Sequence, residues 1–126
     1  MKKILMVDDV STNIKCATEV LKSGYELVTA RSGQKALDIL METKPDLIIL
    51  DINMPDMDGF ELLTVIKSKE GFADVPIIFL TAENDKESEE KGLGLGATDY
   101  ITKPFGPKIL LSRVEKALEI ARTGKS

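Results

Sequence analysis

The sequence predicts an α/β fold in which a parallel sheet of five strands carries helices on both faces. Along the 126 residues, short apolar runs alternate five times with segments that have helical spacing. Several runs, such as residues 47–50 and 77–80, are continuously apolar, which is typical of parallel strands buried on both faces. Parallel strands need crossover connections, and these crossovers are right-handed, so the alternation itself predicts the layered architecture.

The first half of the chain supplies three strands and two helices. The strands are expected at residues 3–7, 25–30 and 47–50. The first helix is expected at residues 13–23, with Ser11 and Thr12 as candidate caps and Gly24 as its end. Ser32 is expected to cap the second helix, and Pro45 closes that helical region.

The second half repeats the same alternation. A third helix begins at Asp58 or Gly59, and a fourth strand covers residues 77–80. The strongly charged residues 83–91 indicate a solvated fourth helix, residues 99–101 a fifth strand, and residues 108–121 the last helix.

Three glycines follow the charged segment within five residues, at Gly92, Gly94 and Gly96. Each glycine costs a helix about 1 kcal/mol relative to alanine, so the fourth helix is expected to be short or frayed. A dinucleotide-binding glycine loop would follow a strand and open a helix, whereas this series closes a helix.

Composition excludes several functional classes. The net charge of −4 and the pI of about 4.9 argue against direct binding to nucleic acid, which requires a basic surface. The chain has no histidine and a single cysteine, Cys16, so histidine-dependent catalysis, an internal disulfide and a cysteine zinc site are excluded. No apolar run approaches the roughly 20 residues that span a bilayer, and the first residues indicate a strand rather than a signal peptide. A cytoplasmic location without membrane contact is therefore expected.

Polar residues stand at the ends of four predicted strands. Asp8 and Asp9 end the first strand, Asp51 ends the third, Thr81 the fourth and Lys103 the fifth. In open parallel sheets, ligands bind beyond the carboxyl ends of the strands. Each residue alone is compatible with an ordinary turn or cap, but their joint placement predicts a functional site at this edge.

The residue types at this edge favour a metal-assisted phosphoryl site. Converging carboxylates repel one another unless a cation joins them, and oxygen ligands without histidine indicate Mg²⁺, with Mn²⁺ as an alternative. Asp9 and Asp51 suffice as carboxylate ligands, with Asp8 acting through water and the Asn53 carbonyl as a further candidate. A lysine aimed at the same point suits a phosphoryl group, for which Asp51 is the natural nucleophile.

The chain resembles, over essentially its whole length, the receiver domains of two-component response regulators, including the chemotaxis regulators. The resemblance rests on Asp8-Asp9, on LIILDINMPDMDG around Asp51, on Thr81-Ala82 and on the DYITKPF run that contains Lys103. It implies a flavodoxin-like (βα)5 three-layer sandwich with strand order 2-1-3-4-5. Residues 1–122 would form the receiver domain, and residues 123–126 a tail or the start of a linker.

The same resemblance implies a role for each site residue. Asp51 would accept a phosphoryl group from a histidine kinase or a histidine phosphotransfer protein, in a self-catalysed reaction that needs no separate enzymatic activity of this domain. The remaining roles are Mg²⁺ binding by Asp8, Asp9, Asp51 and the Asn53 carbonyl; phosphate contact by Lys103, Thr81 and Ala82; switching by Thr81 and Tyr100; a cis bond before Pro104; and control of phosphoryl lifetime by Asn53 and Glu83.

The expected output surface is the fourth helix, fifth strand and fifth helix, because the phosphate contacts Thr81 and Lys103 both feed that region. It would act on an output domain or partner protein, or form a homodimer.

Three alternatives remain open on the residues alone. A Mg²⁺-dependent phosphohydrolase would place a second aspartate two residues after the nucleophile, where this chain has Asn53. A flavodoxin-like cofactor binder would need a hydroxyl-rich phosphate loop after the first strand and aromatic side chains, but the chain offers Asp8-Asp9 and 5% aromatic residues. A receiver-like interaction module that is never phosphorylated is disfavoured by the complete set of acids, Thr81 and Lys103.

Overall fold

The computed structural model describes residues 1–82 and 84–123. Within them, five strands alternate with five helices. The strands are β1 (Lys3–Val7), β2 (Glu26–Ala30), β3 (Leu47–Asp51), β4 (Ile77–Ala82) and β5 (Asp99–Lys103). The helices are α1 (Ser11–Leu21), α2 (Gly33–Leu40), α3 (Gly59–Ser68), α4 (Lys86–Gly94) and α5 (Pro107–Arg122).

All neighbouring strands pair in parallel, in the order β2-β1-β3-β4-β5. The predicted fold class and strand order are confirmed. The strand order reverses between β1 and β3, so the crevice beyond their carboxyl ends is where such sheets place ligands. Three strands extend further than the apolar runs suggested, because β3, β4 and β5 include Asp51, Ala82 and Lys103. The backbone at these three residues is therefore held by the sheet rather than by loops alone.

Two apolar clusters fill the space between the sheet and its helices. One face of β1 and β3 packs with residues of α2 and α3, including Ala36, Leu62 and Ile66. The opposite face packs with α1 and α5, through residues such as Leu21 and Val114. Since both faces of β1 and β3 are covered, their final carboxylates emerge from fully buried backbone.

The helix starts follow the predicted capping rules in two of three places. The Ser32 side chain accepts a hydrogen bond from the Lys35 amide, and the Asp58 side chain accepts one from the Phe60 amide, as expected for N-caps. The prediction for α1 is wrong, because Ser11 already lies inside the helix and Val10 holds the cap position without a side-chain bond.

Helix α4 does not end with the charged segment at residue 91, as the glycine series suggested. The helix is nine residues long and continues through Gly92 to Gly94. Gly92 is its buried contact with the sheet, and Gly96, at φ +110°, ends it in the left-handed conformation that favours glycine. Helical propensity is thus overridden at Gly92 by packing. No helix among the described residues is long and apolar enough to cross a membrane.

Candidate functional site

Three carboxylates meet at the carboxyl edge of the sheet. Asp8 and Asp9 follow β1, and Asp51 is the last residue of β3. One oxygen from each of the three lies within 4.8 Å of the other two. Asp8 and Asp51 are both fully buried, whereas Asp9 is half-buried at the mouth of the cluster. Buried carboxylates this close repel one another, so the cluster is arranged to receive positive charge.

Asp8 is anchored by local hydrogen bonds. Its Oδ1 accepts from the Val10 amide at 2.9 Å, and its Oδ2 accepts from the Asn13 side-chain amide at 3.0 Å. Burial raises the pKa of Asp8 to about 6, the Val10 bond opposes that rise, and the nearby Asp51 charge adds to it. The carboxylate is therefore fixed in position while its charge is poorly solvated, which suits a metal ligand or its immediate neighbour.

The two carboxylate oxygens of Asp51 differ in their hydrogen bonding. Its Oδ1 accepts from the Asn53 amide and from the Lys103 ammonium, both at 3.1 Å. Its Oδ2 is buried and has no hydrogen-bond partner among the described residues. A buried carboxylate oxygen without a partner is costly unless another group completes it. Lys103 is therefore a direct neighbour of Asp51, and Oδ2 is available to a metal or to phosphorus.

Thr81 presents a second buried polar atom of the same kind. It lies on β4 next to β3, is fully buried, and its hydroxyl has no partner within the described part of the chain. Ala82 and Lys103 pair across β4 and β5 at the same edge. A hydroxyl without a partner can donate a hydrogen bond to an oxygen that arrives with a ligand.

The loop after β3 is held by contacts that the sequence pattern does not predict. Gly59 packs so tightly that a Cβ would lie 2.2 Å from the Ile52 Cα and 2.6 Å from the Asp51 carbonyl oxygen. Asp56 bridges to α2, accepting from the Gly33 amide at 3.1 Å and the Gln34 amide at 3.2 Å. These contacts fix the Asn53 backbone beside Asp51.

Arg31 was missed by the sequence analysis. Its guanidinium donates to the Asp9 carbonyl oxygen at 3.0 Å, so it supports the loop that carries Asp9. The available signal was position, because Arg31 directly follows β2 and therefore stands at the same edge of the sheet.

Tyr100 lies outside the acid cluster. It is half-buried on β5, and its ring centroid is 5.8 Å from that of Phe79 on β4. The neighbouring Glu89 carboxylate of α4 raises the pKa of Tyr100. The Lys103–Pro104 bond is cis, the geometry that the resemblance implies. Glu83, the other residue assigned to phosphoryl lifetime, lies outside the described residues.

The donor set fits a hard divalent cation. It consists of carboxylate oxygens, two of which belong to fully buried residues, and it includes the unpartnered Oδ2 of Asp51. Oxygen-only ligands are those that Mg²⁺ prefers, and a cation there would offset the mutual repulsion of the three acids.

Comparison with known proteins decides the family. The model of the response regulator receiver domain matches residues 4–115. The chain belongs to the response regulator receiver domain family. The receiver is 42% identical over 126 residues to the phosphate regulon transcriptional regulatory protein PhoB of Pseudomonas aeruginosa, covering 98% of this chain and 53% of that protein. It is 40% identical to the alkaline phosphatase synthesis transcriptional regulatory protein PhoP of Bacillus subtilis, covering 93% of this chain and 48% of that protein.

Among solved structures, the receiver resembles the chemotaxis response regulator CheY4 of Vibrio cholerae, with a TM-score of 0.88 and 36% identity. That match covers 93% of this chain and 98% of the CheY4 chain. By contrast, the chain spans about half the length of PhoB and PhoP. The chain is therefore a receiver domain of two-component response regulators, and its relatives include both a single-domain chain and longer proteins.

Proposed function

We propose that Asp51 of this receiver accepts a phosphoryl group, in a Mg²⁺-dependent reaction, from a histidine kinase or a histidine phosphotransfer protein. The observation that carries the proposal is the buried, unpartnered Oδ2 of Asp51, set beside two further carboxylates and Lys103. A structural carboxylate in such a position would be expected to have both oxygens satisfied.

The chemistry is a displacement at phosphorus. A carboxylate oxygen of Asp51 forms a bond to phosphorus as the donor's P–N bond breaks, and the electron pair leaves with the imidazole nitrogen, which then takes a proton. Lys103, 3.1 Å from Oδ1, would neutralise charge beside the new phosphate, and the Thr81 hydroxyl, which has no partner among the described residues, and the Ala82 backbone amide would donate to its oxygens.

Asp8, Asp9, Asp51 and the Asn53 carbonyl would hold the Mg²⁺ ion, for which Mn²⁺ could substitute. When bound, the ion neutralises the acid cluster and stabilises the charge on the transferring phosphoryl oxygens. The ends of β1 and β3 support this assignment, because they bring one oxygen of Asp8 and one of Asp51 within 4.8 Å of each other.

The phosphoryl group would act on the rest of the domain through Thr81 and Tyr100. It adds about −1.5 to −2 charge and three strong acceptors at the end of β3. Thr81 moving toward the phosphate would vacate space that the Tyr100 ring can enter, altering the surface of α4, β5 and α5. That surface would then bind an output domain, a partner protein or a second copy of the domain.

The domain would have no further enzymatic activity, and Asn53 and Glu83 would influence how long the phosphoryl group persists. The receiver would span residues 1–122 and work in the cytoplasm, with residues 123–126 as a tail or linker. The phosphohydrolase alternative gains nothing from the structure, because the position two residues after Asp51 is Asn53, whose backbone N–H donates to Asp51 Oδ1.

The test is incubation with acetyl phosphate and Mg²⁺, followed by intact mass measurement. The wild-type protein should gain one phosphoryl group, and Asp51→Asn should gain none. Asp74→Asn is the matched control, because this exposed aspartate lies before β4 at the other edge of the sheet and should leave the gain unchanged. A wild-type protein that binds Mg²⁺ but gains no mass would overturn the proposal.

A further inference from the structure

The turn between β2 and α2, residues 31–34, contacts both loops that carry the proposed Mg²⁺ ligands. None of its four residues is acidic, so the turn supplies no carboxylate to the acid cluster. It lies at the same edge of the sheet, because β2 pairs in parallel with β1 along its whole length. From this position it is hydrogen-bonded to the β1–α1 loop (residues 8–10) and to the β3–α3 loop (residues 52–58).

The contact with the β1–α1 loop restrains the backbone of Asp9. The Asp8 amide donates to the Ala30 carbonyl oxygen at 3.0 Å, so the pairing of β1 with β2 continues one residue beyond β1. One residue further, Arg31 Nη2 donates to the Asp9 carbonyl oxygen at 3.0 Å. Asp8 is fully buried whereas Asp9 is half-buried, so packing holds Asp9 less firmly and the bond from Arg31 adds a restraint where it is needed.

The contact with the β3–α3 loop is made through Asp56. Asn53 and Asp58 form an antiparallel bridge, which closes the base of a short hairpin with Asp56 near its tip. One carboxylate oxygen of Asp56 accepts from the Gly33 amide at 3.1 Å, and the other accepts from the Gln34 amide at 3.2 Å. These amides belong to the first turn of α2, where N–H groups lack partners within the helix and a negative charge is favourable.

Close packing accompanies the bonds of Asp56. Gly33 is buried, and a Cβ at this position would lie 2.9 Å from the Met57 Cβ and 3.1 Å from the Met57 sulfur. The β2–α2 turn and the tip of the hairpin are therefore in direct contact. A movement of the turn would be transmitted to the hairpin that carries Asn53.

We propose that the β2–α2 turn braces the Mg²⁺ site, with Arg31 and Asp56 as positioning residues that hold the backbones of Asp9 and Asn53 beside Asp51. The inference deepens the proposed function and rests on it, because it concerns the same ion. Neither positioning residue touches the ion. Groups that orient metal ligands from outside commonly change metal affinity when they are removed, and here each brace consists of one or two hydrogen bonds.

The charge of Arg31 makes the proposal distinguishable from simple electrostatics. A guanidinium close to the acid cluster repels a second cation, so its removal would tighten Mg²⁺ binding if only its charge mattered. If Arg31 holds the Asp9 backbone in place, its removal weakens Mg²⁺ binding. The two explanations therefore predict changes of opposite sign.

The experiment is a calorimetric titration of Mg²⁺ into the metal-free protein, without a phosphodonor. Arg31→Met removes the donor and the charge but retains an unbranched stem, and Arg31→Lys retains a donor and the charge. Lys35→Met is the matched control, because it removes a cation from the first turn of α2. Arg31 and Lys35 are both exposed, so neither substitution disturbs the core, and circular dichroism verifies the fold of each variant.

Arg31→Met should raise the Kd for Mg²⁺ by about two- to fivefold, as expected for the loss of one hydrogen bond. Arg31→Lys should raise it by less, because a shorter donor recovers part of the bond. Lys35→Met should leave the Kd unchanged or lower it slightly, since it removes positive charge without touching either loop.

Asp56→Ala should raise the Kd for Mg²⁺ by about three- to tenfold, because two hydrogen bonds are lost together. Asp56→Asn retains one acceptor oxygen and should give an intermediate value. Asp38→Ala removes the same charge from α2 and serves as the control. Amide exchange in residues 52–58 should become faster in Asp56→Ala and remain as in wild type in Asp38→Ala.

The brace is refuted if Arg31→Met binds Mg²⁺ as tightly as the wild type or more tightly, or if Asp38→Ala weakens binding as much as Asp56→Ala. A wild-type protein that binds no Mg²⁺ would overturn the metal site and the brace together. A wild-type protein that binds Mg²⁺ but gains no phosphoryl mass would overturn only the proposed function, because the titration is made without acetyl phosphate.

Discussion

The end of β3 and helix α4 are held in opposite ways. All five residues of β3 are buried and the strand pairs on both sides, so Asp51 ends a strand that is firmly held. Helix α4 buries one residue, and the neighbouring strand β5 is mostly half-buried. Under the proposed function, phosphoryl chemistry would take place on a firmly packed support, and the response would fall to weakly attached elements that can move.

The two regions nevertheless share one structural device, a glycine pressed against a neighbour. Gly59 allows α3 to begin directly against the backbone of Ile52 and Asp51, and Gly92 allows α4 to lie on Phe79. At Gly59 the neighbour is a main chain locked in the sheet, whereas at Gly92 it is an aromatic side chain. Alanine at position 59 would clash with backbone that cannot move, whereas alanine at position 92 would clash with an aromatic ring that can shift.

Gly59→Ala should produce the largest effect. Its Cβ would meet the Asp51 carbonyl and Ile52 backbone at distances that real structures do not allow, so β3 or the start of α3 must shift. We expect a loss of about 3 kcal/mol or more in the free energy of unfolding, and a loss of phosphorylation as Asp51 moves. Urea denaturation and the acetyl phosphate reaction measure the two effects. A stable variant with wild-type phosphorylation would show that this edge is not rigid.

Gly92→Ala should cost less, about 1–3 kcal/mol, because the Phe79 ring and the weakly held helix can move apart. The expected signature is a change confined to α4: faster amide exchange there, with exchange in β1 and β3 unchanged. Phosphorylation by acetyl phosphate should persist, since Gly92 does not contact the acid cluster. Loss of phosphorylation in a folded Gly92→Ala protein would contradict the separation of the two regions.

Ionisation of the buried Asp8 should lower the stability of the metal-free protein. The pKa of Asp8 is raised to about 6 from an ordinary 3.8, so its ionised form is destabilised by folding. The penalty is absent below about pH 4, grows as pH rises, and is complete above about pH 6, where it reaches at most about 3 kcal/mol. The metal-free protein should therefore lose stability between pH 4 and pH 7.

Asp8→Asn should remove that loss and stabilise the metal-free protein at pH 7, while weakening Mg²⁺ binding. Thermal unfolding across this pH range, in chelator and in excess Mg²⁺, measures both effects. Asp38→Asn, at a position of α2 remote from the acid cluster, is the control and should retain the wild-type pH dependence. A flat pH profile for the metal-free wild type would show that Asp8 is better solvated than its burial indicates.

The sequence predicted the acid cluster at the ends of the strands more completely than the contacts of α4, for a physical reason. Continuous apolar runs ending in Asp8, Asp51 and Thr81 are local signals, and strand order brings those ends together without further information. The contacts of α4 are not local signals. The contact of Gly92 with Phe79 depends on how the helix is rotated against the sheet, and a charged sequence without apolar periodicity does not specify that rotation.

Gly94→Ala should have the smallest effect, and it tests whether Gly92 is needed for packing against Phe79 while Gly94 is not. A Cβ added at Gly94 would meet no neighbouring atom within 4 Å, and Gly94 is the last residue of the helix, so only its backbone entropy opposes helix formation there. Gly94→Ala should therefore stabilise the protein by up to about 1 kcal/mol, opposite in sign to Gly92→Ala two residues away. Urea denaturation of the two variants side by side is the measurement. If both alanines destabilised the protein, packing at Phe79 would not explain Gly92, and the weak attachment of α4 would have to come from another part of the helix.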